Sequence, residues 1–525
     1  MDSPEQLARI IREFLAEVSS GTVWEDGVPA FDLAQAHYAL STEHGKCTLH
    51  FWSAERNAVR RVIGAEVKHG SLRLQVLRFG QAKPAKLEIC RESTRLTPSQ
   101  RDRVRSAYGQ RLRALLERNF AGYTIAQLTG RMDLERSFGP VYTRGWLRRG
   151  GSGWAVLGVN AQETQAAIDG AVTFGVLWLH YCRERAQRDR AHPCYVEGLN
   201  LFVPAGTGAV VRERTAHLNR SAAHWQLYEF DEREGCVARL DTADRGNVAT
   251  RLTPYGNPAA VRERFSASIR RVLEIAPAAE IAVLSSTEVA FRMHGLELAR
   301  TRLEASSGGL RPTEEILFGT GLNETVLTAE TAGQFAELAS AVANVRRPQG
   351  PHADPLWRMV PERWLESAVV RDVTAIDERL DPACVYSQVP AFAGGDRGMI
   401  DVLGTTREGR LAVLELKADE DIHLPLQGID YWARVEWHRA RNEFQSFGYF
   451  PGRQLAAEKP LLLLVAPALH VHPATDTLLH YLAPEIDCTL VGIDEHWREG
   501  LKVVFRKKRE ELGNRVIAES GNRVK

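Results

Sequence analysis

The sequence predicts an α/β protein, in detail a multidomain α+β chain, on three observations. Its 525 residues suffice for about three or four domains of ordinary size. Runs with the two-residue apolar period of strands alternate with stretches of helical period along most of the length. One short span, Arg346-Arg347-Pro348-Gln349-Gly350-Pro351-His352 with Pro355 just beyond, gathers the residues that break both.

Composition limits the function classes. With 44% hydrophobic and 25% charged residues the chain has ample apolar material for buried cores. A net charge of +1 removes any bulk argument for a polyanionic partner, so a basic surface must be local. The seven cysteines stand singly and form no C-x-x-C pair, which fits a reduced, intracellular setting better than a disulfide framework or a zinc ribbon. Asp2 and Glu5 stand where the positive region of a signal peptide belongs. The most apolar stretch, Ala166 to Cys182, carries Asp169 and His180 and falls short of the ~20 residues that cross a bilayer, so a buried helix is expected. A cytoplasmic protein without a membrane segment is therefore expected. No G-x-x-x-x-G-K-[ST] phosphate loop occurs, and no internal repeat is visible.

Ser3-Pro4-Glu5-Gln6 opens a helix, with Gln6 completing a capping box and Leu7, Ile10, Ile11, Phe14, Leu15 and Val18 forming an apolar stripe. Strand-like runs at 47–52, 58–67, 71–79 and 85–90 follow, so residues 1–95 are expected to form a small α+β domain with antiparallel strands. Thr97-Pro98-Ser99-Gln100 opens a second helix. It carries Arg101, Arg103, Arg105, Arg111, Arg113 and Arg118, with Val104, Tyr108, Leu112, Leu115 and Leu116 as its buried face. Arg131, Arg136, Arg144, Arg148 and Arg149 follow near Tyr142 and Trp146. Together these arginines are a candidate phosphate-contacting surface, although charge runs more often simply face water. Strand-like runs at 196–203, 224–230 and 280–284 alternate with helical ones such as 259–274. Residues 96–345 are thus read as a mixed α/β domain with a nucleic-acid-binding or regulatory role. Residues 346–360 form a linker, 361–510 a separate domain and 511–525 a polar tail.

Chemistry concentrates in 361–510. Pro361 suits the first turn of a helix whose buried side is Trp364, Leu365, Ala368, Val369, Val370, Val373 and Ile376. Glu366 falls inside that apolar arc, where an unpaired carboxylate is costly. Three strand-like runs follow, at 384–390, 398–404 and 411–418, the last two joined by a tight turn over Thr405 to Arg410. In the third run Glu415 and Lys417 share one face, while Leu414 and Leu416 take the other. The hairpin brings Asp401 alongside, so two carboxylates and an ammonium converge at the edge of an apolar sheet. Asp401 and Glu415 suit a hard divalent cation, most naturally Mg²⁺, which polarises a phosphate and activates a bound water. Lys417 can orient or deprotonate that water, or stabilise the transition state, and Glu366 can assist from the helix.

Asp401, then thirteen residues, then Glu415-Leu416-Lys417 resembles the D…(D/E)-x-K signature of PD-(D/E)XK nucleases. Gln427-Gly428-Ile429-Asp430-Tyr431 resembles the Q-x-x-x-Y motif of their RecB-type branch. The resemblance covers only the 361–510 stretch. It implies a restriction-endonuclease-like αβββαβ core with a mixed central sheet. It implies one or two Mg²⁺ or Mn²⁺ ions at Asp401, Glu415 and Glu366, a catalytic Lys417, and Gln427 and Tyr431 positioning the substrate strand. The activity implied is that of a metal-dependent phosphodiesterase cutting DNA to leave a 5′-phosphate, with the N-terminal region selecting substrate. An amphipathic helix over 427–442, an apolar run at 461–466 suited to a central parallel strand, a helix at 476–482 and a strand at 488–493 agree with that order. Two departures stand out. Ile400 replaces the proline of the family's Pro-Asp pair, and Glu362, one turn before Glu366, competes with it as the upstream acid.

The substrate expected is DNA, single-stranded or duplex, and the oligomeric state is left open. The alternatives are a catalytically silent nucleic-acid-binding scaffold in a repair or defence complex, and a regulated effector that cuts RNA. His423, the His470-Val471-His472 pair and Arg506-Lys507-Lys508-Arg509 are weaker candidates for substrate, metal and phosphate contact.

Overall fold

A computed structural model describes residues 3–509, apart from 17, 19–20, 26–27, 34–35, 43–45, 53–56, 69–70, 79–83, 92–97, 134–135, 244–249, 305–312, 321–323 and 394–395. The Thr97 to Gln100 cap and the 511–525 tail expected from the sequence rest on residues or side chains outside those described. The chain is mixed α/β, with several sheets, and divides into two compact units, Met1–Val104 and Arg105–Lys525. Among the described residues no helix is long and apolar enough to cross a membrane.

The first unit is one helix on one antiparallel sheet. Ser3 N–H bonds Gln6 Oε1 at 2.9 Å and Gln6 N–H bonds Ser3 Oγ at 3.3 Å, the reciprocal box the sequence predicts. The helix, Pro4–Ala16, shares a core through Leu7, Ile11, Phe14 and Leu15 with Leu49, Leu72, Val76 and Ile89 of the sheet. Three strands precede the four predicted runs: Gly21–Glu25, Val28–Asp32 and His37–Ser41. The third of them lies at the sheet's edge and is half exposed, so its sequence lacks the apolar alternation by which a strand is recognised.

The second unit uses one plan twice, a repeat of architecture with no repeat visible in the sequence. The first copy comprises α1 (Pro98–Asn119, in this unit from Arg105), β1 (Thr124–Thr129), β2 (Tyr142–Arg149), β3 (Ser152–Val159), α2 (Ala171–Arg188), β4 (Tyr195–Pro204), α3 (Ala209–Ala216), β5 (His224–Asp231) and β6 (Cys236–Leu240). The second comprises α4 (Pro361–Arg371), β7 (Leu380–Ala393), β8 (Asp396–Thr406), β9 (Leu411–Leu416), α5 (Leu424–Ala440), β10 (Leu461–Pro467), α6 (Thr475–His480), β11 (Asp487–Ile493) and β12 (Val503–Lys508). In each copy three antiparallel strands are followed by two parallel strands reached over helices, and an antiparallel strand closes the sheet. Strands lie side by side in chain order in both sheets, and Thr250–Leu252 adds an edge strand beside β7. The central strands β4 and β10 are buried on both faces over most of their length, as parallel strands covered on both sides must be, and β10 is apolar throughout.

The two copies pack helix layer to helix layer. α2, α3, α5 and α6 share a single core with the inward faces of both sheets. This explains why the 166–182 stretch is so apolar: α2 is sandwiched between sheets. The contact is reciprocal. Asn219 N–H bonds Tyr481 O at 2.8 Å, Ala483 N–H bonds His217 O at 2.9 Å, and Leu218 and Leu482 pair as antiparallel partners. The turn after α3 thus meets the turn after α6 about a local two-fold. A buried ion pair locks the same layer, with Arg214 of α3 held on Asp430 of α5 at 2.7 Å and 3.0 Å. The outer faces are covered separately, by α1 in the first copy and by α4 in the second.

Between the copies, helices Pro258–Arg264, Ser266–Ile275 and Ala332–Val345 cover a five-stranded antiparallel sheet running from Glu280 to Val326, around a core of Phe265, Val272, Phe291, Leu298, Phe335 and Val342. The 346–360 span, expected as a linker, is packed against this module. Arg346 is 1% exposed and donates to the carbonyl oxygens of Met293, His294, Leu356 and Met359 at 2.8–3.2 Å. Prolines and glycine shape the turns here, but one buried side chain pins them.

Candidate active site

The sequence folds the site locally through the β8–β9 hairpin. Val402 pairs with Leu414, so Asp401 and Glu415 follow as the next opposed residues. Leu416 N–H donates to Asp401 Oδ2 at 2.9 Å, fixing that carboxylate against the partner strand. Alternation along β9 sends Leu414 and Leu416 to the core under α4 and leaves Glu415 on the opposite face. Lys417, just past the strand, places Nζ 3.4 Å from Glu415 Oε1, 3.7 Å from Glu362 Oε1 and 3.9 Å from Asp421 Oδ2. The three residues predicted to converge therefore do so.

Their electrostatics follow from burial. Glu415 is 3% exposed, and its Oε2 has no hydrogen-bond partner. Desolvation, then repulsion from Asp401, pushes its pKa well above the carboxylate range, against the pull of Lys417. Desolvation also raises Asp401, opposed by the Leu416 N–H, Lys417 and Arg363. Burial alone would lower Lys417. Glu415, Glu362, Asp401 and Asp421 outweigh it and hold the ammonium above its ordinary value.

Both upstream acids reach the cluster from α4, in different ways. Glu362 faces Lys417, while Glu366 is 5% exposed and accepts from Arg363 at 3.1 Å and from Gln388 Nε2 at 2.6 Å. Desolvation carries Glu366 up to about 7, with Arg363 opposing and Asp401 assisting. Such a group holds its proton more tightly folded than unfolded. Its stabilisation is full below the unfolded pKa and is lost as pH rises towards 7. In chelator-treated protein, this residue alone is expected to cost on the order of 3 kcal/mol between pH 4.5 and 8. Glu366→Gln should flatten that slope in denaturant titrations run at several pH values. An unchanged slope would remove Glu366 as the titrating group.

Gln388 is a member that sequence reasoning missed. Ser387 pairs with Val402 and Val389 with Ile400, which leaves Gln388 level with Asp401 but unpaired. Its φ is +53°, a left-handed conformation inside a strand, of a kind that costs about 1–3 kcal/mol and concentrates at functional sites. Its Oε1 is buried without a partner, while Nε2 holds Glu366. Nothing in Ser387-Gln388-Val389-Pro390 announces the turn, since glycine or asparagine is the usual signal.

Gln427 and Tyr431 stand one turn apart on α5, and Tyr431 reaches the cluster. Gln427 Oε1 is buried without a partner. Desolvation, then Glu415 and Asp401, raises the Tyr431 phenol. A Cβ on Gly398 would come within 2.9 Å of the Tyr431 ring, so glycine lets α5 approach β8.

The weaker candidates are engaged elsewhere. His423 Nδ1 lies 3.1 Å from Thr173 Oγ1 and its ring meets Phe174 edge-on, so it packs on the first turn of α2. His470 lies 3.5 Å from Glu495, and His472 lies 3.7 Å from Glu420. Arg506 bonds Ile376 O at 2.7 Å and Lys507 bonds Asp476 at 2.8 Å. Of the arginines expected as a phosphate surface, Arg105 forks onto Glu163 at 2.7 and 3.1 Å. Arg111 bonds Glu232 at 2.8 Å, Arg118 bonds Gly235 O, and Arg148 bonds His192 O at 2.8 Å.

Among the described residues no group of three or more His, Cys, Asp and Glu side chains is placed so as to hold a metal ion. The donor set at the hairpin nonetheless fits a hard cation: two opposed, desolvated carboxylates, one with an oxygen lacking any partner. No protein-family model matches the chain, and no curated protein matches it.

Proposed function

We propose that residues 361–510 are a metal-dependent phosphodiesterase of the PD-(D/E)XK type that hydrolyses DNA in the cytoplasm, with α4, β7, β8, β9, α5 and β10 as its restriction-endonuclease-like core. The observation that carries this reading is the meeting of Asp401, Glu415 and Lys417 at one sheet edge, with Glu415 Oε2 buried and unpartnered. Asp401 and Glu415 would hold Mg²⁺ or Mn²⁺, with Glu366 or Glu362 beside them. When bound, such an ion polarises the scissile phosphate and acidifies a water. Lys417, protonated among four carboxylates, suits stabilising charge on the phosphate oxygens and orienting the attacking water; removing a proton does not suit it. Glu366, half-protonated near neutrality, is suited to exchange a proton at the site. Gln427 and Tyr431 position the strand, and the N-terminal region selects the substrate.

The test is cleavage of end-labelled single-stranded, duplex and flapped DNA, with RNA alongside, in Mg²⁺ and Mn²⁺. Metal-dependent cutting that disappears in Asp401→Ala is the expected result. Well-folded protein that cuts none of these substrates would leave the silent scaffold as the better reading.

A further inference from the structure

We infer that the first copy is a catalytically silent counterpart of the second, so that the chain carries one cutting centre in a two-fold frame and cuts a duplex one strand per encounter. This rests on the phosphodiesterase reading of the second copy.

Backbone register fixes the matching positions. Leu416 lies opposite Val465 near the end of β9, and Gly158 lies opposite Phe202 near the end of β3. Two residues beyond those partners both strands close on proline, Pro467 and Pro204. On the other side, Leu414 faces Val402 and Val156 faces Gly145. The direction of the side chains agrees. Leu414, Leu416 and Val465 lie in the core under α4, as Val156 and Phe202 lie in the core under α1. Val413, Leu462 and Leu464 turn to the shared helix layer, as do Ala155, Leu199 and Leu201. The helices match on a glycine. A Cβ on Gly428 would meet Leu464 at 2.5 Å and Leu462 at 3.2 Å, and one on Gly175 would meet Leu199 at 2.7 Å and Leu201 at 2.8 Å. Each copy needs a bare backbone where this helix crosses its sheet.

In this alignment five positions of the second copy, Asp401, Glu415, Lys417, Gln427 and Tyr431, have other residues in the first. Arg144 stands where Asp401 does, and Leu157 and Val159 replace Glu415 and Lys417. Phe174 and Trp178 replace Gln427 and Tyr431. Arg144 is 2% exposed, with its guanidinium 4.5 Å from the Phe138 ring and 5.6 Å from the Trp178 ring. A buried cation packed on aromatic rings stands at the position of Asp401, where it repels a divalent ion, and Leu157 offers that ion no ligand at the position of Glu415.

The two positions are neighbours on one side of the pair. The loop after Lys417 carries His423, which bonds Thr173 and meets Phe174, the residue matching Gln427. A two-fold frame offers like surfaces to the two strands of a duplex, and here one of the two surfaces has no cutting centre.

Covalently closed supercoiled plasmid, treated with the full chain and Mg²⁺ while its mass in solution is measured, tests the inference. Open circle should accumulate first from a monomer, with linear DNA appearing only after a lag as independent nicks meet. Linear DNA formed without a lag would overturn it, because paired cuts need two centres acting together. Circles that stay intact while single-stranded oligonucleotides are cut would also overturn it, yet leave the phosphodiesterase reading standing. If neither plasmid nor oligonucleotide is cut, both fall together.

Discussion

Replacing Lys417 with methionine is expected to slow strand cleavage by about 10²–10³-fold, the scale lost when one preorganised charge is removed from a transition state. DNA affinity should remain largely intact. The ammonium sits 3.4 Å from Glu415 and among carboxylates that offset its charge, so it contributes little to holding the backbone away from the reacting phosphate. The loss should therefore fall on kcat and leave KM nearly alone. A second consequence separates this role from a merely structural one. Lys417 is the cation that opposes protonation of Glu415, Glu362 and Asp401. Without it those groups hold protons to higher pH, and a divalent ion must compete with them. The variant should need more Mg²⁺ for half its residual rate, and the requirement should ease as pH rises. Full activity in Lys417→Met at ordinary Mg²⁺ would sink the mechanism.

What could be read in the sequence was what strand geometry dictates locally. A hairpin with an aspartate on one strand and E-x-K on the next leaves little freedom, and Asp401, Glu415 and Lys417 come together accordingly. Glu366 was legible because a carboxylate inside an apolar helical arc needs a reason. Gln388 was not legible, because its role depends on a left-handed backbone that no neighbouring residue signals. The repeat was hidden for a different reason. What the two copies share is strand order, side-chain direction and one helix glycine, while the residues by which a motif is recognised have been replaced by Arg144, Leu157, Val159, Phe174 and Trp178. In the arginine-rich stretch, where a charge run was the commoner expectation, Arg105, Arg111 and Arg118 bind groups of their own chain.

Nothing in the sequence marks Arg346 as buried, and removing it is expected to have the largest effect on stability. Among the described residues its guanidinium has no carboxylate partner; it gathers carbonyl oxygens of the β-hairpin turn at Met293 and His294 and of the 356–359 turn, and lies 4.7 Å from the Trp364 ring. Burial, then the nearby Arg498, lowers its pKa to about 10, so it remains charged at neutral pH. Truncation would strand several buried carbonyls at once, at about 1–3 kcal/mol for each that finds no water. Arg346→Ala should therefore lose about 3–5 kcal/mol in total, the scale of breaking a buried charged network. Denaturation followed by the fluorescence of nearby Trp357 and Trp364 measures it. Arg346→Lys should recover only part, because a single ammonium cannot span carbonyls that a planar fork reaches on both sides. The effect should also reach the active site. Arg346 bonds Val360 O, whose residue starts α4 with φ +40°, and α4 carries Glu362 and Glu366. If the packing is what aims those acids, Arg346→Ala must lower cleavage even at temperatures where the protein stays folded. A variant that is destabilised but fully active would confine Arg346 to holding the 257–345 module in place.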